Sequence, residues 1–206
     1  MSLEDKVALI TGADGPVGAA IALRFAREGA TVVLNDIVSK RLERVATDVT
    51  EVEGGKVYIA LGDVRNRSHV ERMVRETVDA YGRIDILVNN AGEDDDTVLQ
   101  GAVLCSEAAV PAMCERRWGR IITTSFVSNG GVIAFTRRLA LEYARDGVTV
   151  NCVAPGATMT AMARIPMGRS ADPREVAAAH AFLASDDAAY ITGQVLHVDG
   201  GLSLVD

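Results

Sequence analysis

The sequence predicts an α/β domain built on one doubly wound parallel sheet. Three observations carry this expectation. Apolar positions alternate along the chain between short continuous runs and stripes at helical spacing. Runs such as Val32-Val33-Leu34 and Ile86-Leu87-Val88 have no polar alternation, as strands buried on both faces require. The first run ends in a glycine-rich turn that leads directly into a helix.

The elements follow in order. Residues 6–11 form the first strand. Val17, Ile21 and Phe25 recur at i, i+4 and i+8, which marks a helix over 16–28 that Gly29 stops. Pro16 fits its first turn, where no N–H partner is lost. Residues 30–35 are the second strand. Leu42, Val45, Val49 and Val52 mark a helix ended by Gly54 and Gly55, and residues 56–61 are the third strand. Val70, Met73, Val74, Thr77, Val78 and Tyr81 make the cleanest helical stripe in the chain. Residues 84–89 are the fourth strand, followed by a helix carrying Leu99, Val103, Val110 and Met113. Residues 119–124 are the fifth strand, and Val132, Phe135, Leu139 and Tyr143 lie on the next helix. Residues 148–153 are the sixth strand. Val176, Ala179, His180 and Leu183 mark the last helix, and residues 194–198 the last strand. No linker, repeat or low-complexity stretch divides residues 1–206, so a single domain is expected.

Composition narrows the function classes. Hydrophobic residues make up 49% and charged residues 24%, which suits a packed core and not a disordered chain. Lys+Arg is 21 against 28 Asp+Glu, a net charge of −7, which argues against nucleic acid or an anionic membrane as the main partner. No stretch approaches 18 uninterrupted apolar residues, so no membrane span is expected. Glu4 and Asp5 lead straight into a strand, unlike a signal peptide. Cys105, Cys114 and Cys152 lack metal-like spacing, which points to the reducing cytoplasm without a disulfide framework or structural zinc. His69 sits in a helix start, His180 on an apolar stripe as a packed, hydrogen-bonded core residue, and His197 in a strand, so no metal site is expected.

Ligands of such sheets bind outside the carboxyl ends of the strands, so the residues after each strand matter most. After the first comes Thr11-Gly12-Ala13-Asp14-Gly15-Pro16-Val17-Gly18. Glycines there let the backbone approach a pyrophosphate, and the helix terminus offers N–H donors; an ordinary strand-to-helix turn has the same look. After the second comes Asn35-Asp36. A carboxylate at that place accepts both ribose hydroxyls of an adenosine and repels a 2′-phosphate, or else caps the next helix. Neither 35 nor 37 is basic, and Asp14 adds a second negative charge, which favours NAD over NADP. Further on come Gly62-Asp63-Val64, Asn89-Asn90-Ala91-Gly92, the stretch 154–160 and Val198-Asp199-Gly200-Gly201. The acidic run 93–96 suits a solvated helix amino terminus, and Cys152 suits a small buried hydrophobe.

In this order, these stretches resemble the short-chain dehydrogenase/reductase family over nearly the whole chain. Asn89-Asn90-Ala91-Gly92 and the VNCVAPG stretch at 150–156 are its most specific marks. Segments 135–147 and 166–185 resemble the branch with 3-oxoacyl-carrier-protein reductases and NAD-dependent alcohol or sugar dehydrogenases. The resemblance implies a Rossmann-type fold, the cofactor NAD and interconversion of a small-molecule secondary alcohol and its ketone. By position it implies Gly12, Asp14, Val17 and Gly18 at the pyrophosphate turn, and Asp36 with Ile37 at the adenosine ribose. Asp63 and Val64 would flank the adenine, and Asn90, Ala91 and Gly92 would lie between adenosine and nicotinamide. Pro155, Gly156 and Thr160 would lie beside the nicotinamide. The family's usual middle glycine falls at Pro16, with Gly15 before it. The family also pairs through its fourth and fifth helices. Here Val103, Leu104, Ala108, Ala109 and Met113, with Phe135, Leu139 and Leu141, make both helices apolar on more than one face, so a homotetramer is expected.

The family's catalytic pattern is broken. Its chemistry rests on Ser, Tyr and Lys, the last two spaced YxxxK. Tyr58, Tyr81, Tyr143 and Tyr190 have no lysine at +4, and Lys6, Lys40 and Lys56 all precede the fifth strand. Ser125 is the candidate catalytic serine, although in strict register that position falls on Phe126. The chain looks shortened near 93–101, 126–130 and 161–166, all on the carboxyl edge. Two readings are open. Either the full polypeptide carries mobile active-site loops there and runs to about 250 residues, or the chain is a trimmed, non-catalytic NAD-binding scaffold.

Overall fold

Parallel strands cannot be joined by a tight hairpin, so each needs a crossover, and here helices supply most of them. The structure, a computed structural model, describes residues 2–51, 55–92, 94–125, 130–156 and 164–205. Strands β1 (Val7–Thr11), β2 (Thr31–Asn35), β3 (Lys56–Ile59), β4 (Ile86–Asn89), β5 (Gly119–Thr124), β6 (Val148–Pro155) and β7 (Val195–Val198) form one sheet in the order β3-β2-β1-β4-β5-β6-β7. Every pairing is parallel. The helices are α1 (Pro16–Arg27), α2 (Ser39–Thr50), α3 (Arg67–Tyr81), α4 (Asp95–Arg116), α5 (Gly130–Tyr143) and α6 (Pro173–Ala184). The doubly wound α/β expectation holds, and Val52, Gly54 and Phe126 lie outside the described residues.

Strand side chains alternate between two cores. Ala8, Ile10, Val32 and Leu34 face α1, α2 and α6, with Ile21, Phe25, Leu42 and Val176. Leu9, Val33, Leu87 and Ile121 face α3, α4 and α5, with Met73, Ala109, Met113 and Leu139. This explains the unbroken apolar runs in β1 and β4, whose residues are all buried, and β6 is buried throughout as well, its Thr149 and Asn151 included. The edge strands β3 and β7 are partly exposed.

Caps set the helix ends that periodicity alone leaves loose. Asn66 starts α3 by accepting from the Ser68 and His69 amides at 3.0 and 3.4 Å, and Gly82 ends it at φ +70°. Asp94 accepts from the Thr97 amide at 2.8 Å, so the acidic run opens α4 as expected. Asp172 and Glu175 form a reciprocal capping box on α6. The α4 stretch Asp96–Arg116 is long and apolar enough to cross a membrane by length and composition. Its Ala102, Cys105, Ala109 and Met113 are nevertheless packed into the core.

Two buried polar groups fasten the layers. Asp85, fully buried, accepts from the Val7 amide at 2.9 Å and pairs with Arg83 at 2.5 and 2.6 Å. It thereby ties the start of β4 to the start of β1. His180 on α6 bonds the Val176 carbonyl through Nδ1 at 2.9 Å and the Thr124 hydroxyl through Nε2 at 3.0 Å. Since the carbonyl can only accept, Nδ1 carries the proton and Nε2 accepts from Thr124. Cys105 and Cys152 are buried thiols pushed up to about 12 by desolvation.

Burial pushes the His180 imidazole down to about 4 from its usual 6.5. Its folded form is therefore neutral, while the unfolded form takes up a proton below 6.5. Stability from this site is complete above pH 6.5 and is lost as pH falls toward 4, by about 3 kcal/mol in all. Urea midpoints of the wild type and His180→Gln should differ by an amount that changes across that window. A constant difference would contradict the burial account.

Candidate functional site

The strand order reverses direction between β1 and β4, which opens a crevice at their carboxyl ends. Thr11, the last residue of β1, holds that edge together. Its hydroxyl accepts from the Asn90 and Ala91 amides at 3.0 and 3.1 Å and donates to the Val88 carbonyl at 3.3 Å. Gly12 follows at φ +63°, a left-handed conformation that favours glycine. A Cβ there would stand 2.8 Å from the Asn90 carbonyl oxygen. A Cβ at Gly18 would overlap the Gly12 carbonyl, so α1 can approach the turn only with glycine.

From this turn, hydrogen bonds link neighbouring strand ends. The Ala13 amide donates to the Asn35 carbonyl at 3.0 Å, joining the turn to β2. Asn35, buried at the end of β2, donates to the Ala60 and Gly62 carbonyls at 2.8 and 3.0 Å. The Gly62 amide donates to the Asp36 carbonyl at 3.1 Å. The ends of β4, β1, β2 and β3 thus form one continuous wall.

Polar groups face this wall. Asp36 is half-buried, and desolvation, reinforced by the neighbouring Asp14 carboxylate, raises it above the usual carboxylate range. Its side chain accepts from the Ile37 amide at 2.7 Å. It does not cap α2, whose N-cap is Val38, so the helix-capping alternative for Asp36 is set aside. Asp14 pairs with Arg41 of α2 at 3.3 Å. Asp63 is gripped by Arg65 through Nε and Nη2 at 2.8 to 3.2 Å, which holds it below the usual carboxylate range. Asn90 donates to the Gly12 carbonyl at 3.1 Å, while its buried Oδ1 has no hydrogen-bond partner among the described residues.

The structure brings Gly12, Asp14, Gly18, Asp36, Ile37, Asp63, Asn90, Ala91 and Gly92 to one side of the crevice edge. Val17 is half-buried and packs on the core under α1. Val64 follows Asp63 at the same strand end, with its side chain buried beside Gly101 in the α3–α4 core. Across the crevice, Ser125 follows β5 and donates its amide to the Val153 carbonyl at 3.0 Å. Pro155 ends β6, and Gly156 lies against Asp199, where a Cβ would stand 2.9 Å from the Asp199 Cα. Thr160 lies outside the described residues. Sequence reasoning assigns no role to Thr11, Arg41 or Arg65. A threonine just before a glycine turn is one signal, and the i, i+2 spacing of Asp63 and Arg65 is another, whereas Arg41 and Asp14 are 27 residues apart and meet only in the fold.

This donor set fits a dinucleotide. The α1 amino terminus has no side-chain cap and no acidic residue in its first turn, so it can receive a phosphate. Two glycines leave the space that a pyrophosphate needs, and an orphaned Asn90 oxygen can accept from a ligand hydroxyl.

Known proteins match this chain throughout. The family described as short chain dehydrogenase matches residues 6–166. The chain is 39% identical to the (2S)-[(R)-hydroxy(phenyl)methyl]succinyl-CoA dehydrogenase subunit BbsD of Thauera aromatica, covering 99% of both chains. It is 40% identical to the 3-oxoacyl-[acyl-carrier-protein] reductase FabG of Thermotoga maritima, covering 98% of this chain and 99% of that one. Among solved structures, levodione reductase superposes with a TM-score of 0.91 at 30% identity, covering 99% of this chain and 100% of the other. The alignment with the Thauera protein spans 246 positions, about 40 more than the 206 residues here.

Gly12→Ala tests the turn. It forces an unfavourable φ and presses a methyl on Asn90, so dinucleotide affinity should fall by at least about tenfold while the circular dichroism spectrum is kept. Unchanged affinity in a titration would show that nothing binds at this turn.

Proposed function

Because the chain belongs to the short-chain dehydrogenase family of oxidoreductases, we propose that it binds NAD(H) at the β1–β4 crevice and interconverts a secondary alcohol and its ketone. The observation that carries the cofactor choice is Asp36. A half-buried carboxylate at the end of β2, with Asp14 beside it, suits two ribose hydroxyls and opposes a 2′-phosphate. When bound, the nicotinamide supplies hydride transfer. The chain's own residues position it: Gly12, Gly18 and the α1 terminus for the pyrophosphate, Asp36 and Ile37 for the ribose, Asp63 for the adenine. Asn90 to Gly92 lie between adenosine and nicotinamide, Pro155 and Gly156 lie beside the nicotinamide, and Ser125 faces the substrate oxygen. Relatives named for a succinyl-CoA dehydrogenase and a 3-oxoacyl reductase support a small alcohol or ketone as substrate, among them 3-oxoacyl thioesters.

A second reading keeps the binding and drops the turnover. It is favoured by the missing proton relay. A catalytic phenol needs a nearby cation that lowers its pKa. Desolvation raises the Tyr81 phenol, and a hydrogen bond to Glu142 is the main cause that raises Tyr143. No lysine follows β5. On this reading the 206 residues form a trimmed, non-catalytic dinucleotide-binding scaffold. On the first, the natural protein carries a YxxxK between Ser125 and Gly130 and runs to about 250 residues.

The tetramer and the cytoplasmic location belong to the same proposal. Leu141 on α5 is 85% exposed, and Val103, Leu104 and Ala108 on α4 are only half-buried, which supports a partner subunit over these helices. Three free cysteines suit a reducing compartment.

Three measurements test these statements. Titration calorimetry should show NAD binding several-fold tighter than NADP; equal affinities would mean that Asp36 points away from the ribose. Intact mass of the natural gene product should exceed 21.8 kDa by the mass of the missing loops, and a mass of 21.8 kDa selects the scaffold reading. The 206-residue chain itself should turn over alcohols about 10²–10⁴-fold more slowly than a natural product containing YxxxK. Robust turnover by the 206-residue chain would show that another group moves the proton.

A further inference from the structure

His69 stands in the first turn of α3, half-buried against the stretch that joins β3 to this helix. That stretch is held peptide by peptide. Arg72 donates through Nη2 to the Leu61 carbonyl at 2.9 Å, and Asn35 donates to the Gly62 carbonyl at 3.0 Å. The Gly62 amide donates to the Asp36 carbonyl at 3.1 Å, and the Asp63 amide to His69 Nδ1 at 3.3 Å. A Cβ at Gly62 would stand 3.3 Å from the His69 Cβ, so the side chain and the loop are in close contact. A backbone amide only donates, so Nδ1 presents a lone pair and the neutral ring carries its proton on Nε2. An imidazolium has N–H groups on both nitrogens and cannot accept this bond. Of the four bonds, it is the one that a proton can break. The charges around the ring are the Asp63 carboxylate, gripped by Arg65, and Arg72, which also pairs with Glu76. Asp36 lies beyond Gly62, and Asp94 beyond Arg65. Asp63 favours a charged ring, while the amino terminus of α3 opposes one.

We propose that His69 is a positioning residue for the wall after β3: its neutral ring holds the Asp63 peptide in place, and its protonation releases that peptide, so dinucleotide affinity falls in acid. This rests on the reading that the crevice binds NAD with its adenine at Asp63. Imidazoles exchange protons between about pH 5 and 8. Asp63 stays ionised there, because Arg65 holds it below the usual carboxylate range. What changes is therefore the partner of its amide, which is left unsatisfied beside a charged ring.

Two measurements test this. In the ligand-free wild type, the Asp63 amide resonance, followed by nitrogen–proton correlation spectra, should move with the titration of the His69 ring. An amide that stays still while the ring titrates overturns the proposal without reference to any cofactor. NAD is then titrated calorimetrically into the wild type, His69→Gln and His69→Phe at about pH 7.5 and about pH 5.5, with thermal melts to confirm that each variant is folded. Glutamine keeps an oxygen that can accept from the amide at either pH, whereas phenylalanine accepts at neither. The wild type should lose affinity about tenfold in acid. His69→Gln should lose less than about threefold, and His69→Phe should bind about tenfold more weakly than the wild type at the higher pH. The raised Asp36 carboxylate contributes a pH effect common to all three proteins, so the contrast between them isolates His69. Equal acid losses in the wild type and His69→Gln overturn the proposal, and so does full affinity in His69→Phe. A wild type that binds no NAD at the higher pH while its Asp63 amide follows the ring defeats the cofactor reading and not the hydrogen bond.

Discussion

The meeting of β1 and β4 is the constraint on which the rest of the carboxyl edge depends. These strands are neighbours in the sheet but lie far apart in sequence, with two other strands and their crossovers between them. Thr11 joins them with one hydroxyl that uses both its accepting and its donating capacity. That fixes Asn90 against the turn at Gly12. Close approach of the two backbones then requires glycine at 12, and close approach of α1 requires glycine at 18. Once those contacts exist, Ala13 reaches the end of β2 and Asn35 reaches the end of β3. The cradle is thus assembled from side-chain and backbone hydrogen bonds across four strand ends and does not rest on one loop alone.

Charge is distributed along this edge in a way that suits a neutral ribose and disfavours a second phosphate. Asp36 and Asp14 stand together, and Arg41 pairs with Asp14. Asp63 is paired with Arg65, so the wall after β3 is closer to neutral. The positive element that remains is the uncapped terminus of α1, which is suited to a pyrophosphate. The opposite half of the crevice, from Ser125 to Gly156, offers a strand end and a tight β6–β7 contact at Asp199. The tyrosine and lysine that would carry proton transfer are absent, as a YxxxK pair, from the 206-residue sequence. On the proposed reading, binding rests on the ends of β1 to β4 and proton transfer on residues after β5, so the two are separable.

Most of the scaffold is legible in the sequence. Valines and isoleucines in unbroken runs mean burial on both faces, and the stripes at 70–81 and 17–25 can only face a core. The turn at Gly12, the carboxylate at Asp36 and Asn90 are legible too, because each comes after a strand at a position where ligands gather. Helix starts are less so. Asn66 and Asp172 open α3 and α6 ahead of the first apolar position, and only their capping bonds reveal it, whereas the acidic run at Asp94 already marks the start of α4. The position of Val64 after β3 is legible, while the packing of its side chain into the space left by Gly101 is not. Arg41 escapes because a basic residue in a polar stretch has no local mark that names a partner 27 residues away, and the pair appears only when the two loops have met.

Hydrogen exchange with and without NAD is the most direct measurement of the central claim, that one crevice at the ends of β1 to β4 holds a dinucleotide. Backbone amides have to be protected wherever phosphate, ribose or adenine contacts the wall. Saturating NAD should slow exchange in the peptides covering Gly12 to Gly18, Asp36 to Val38, Asp63 to Arg65 and Asn90 to Gly92. The amino-terminal edge, at Lys6, Asp85 and Gly119, should be unchanged. Protection confined to any other surface, or none at saturation, would contradict the account.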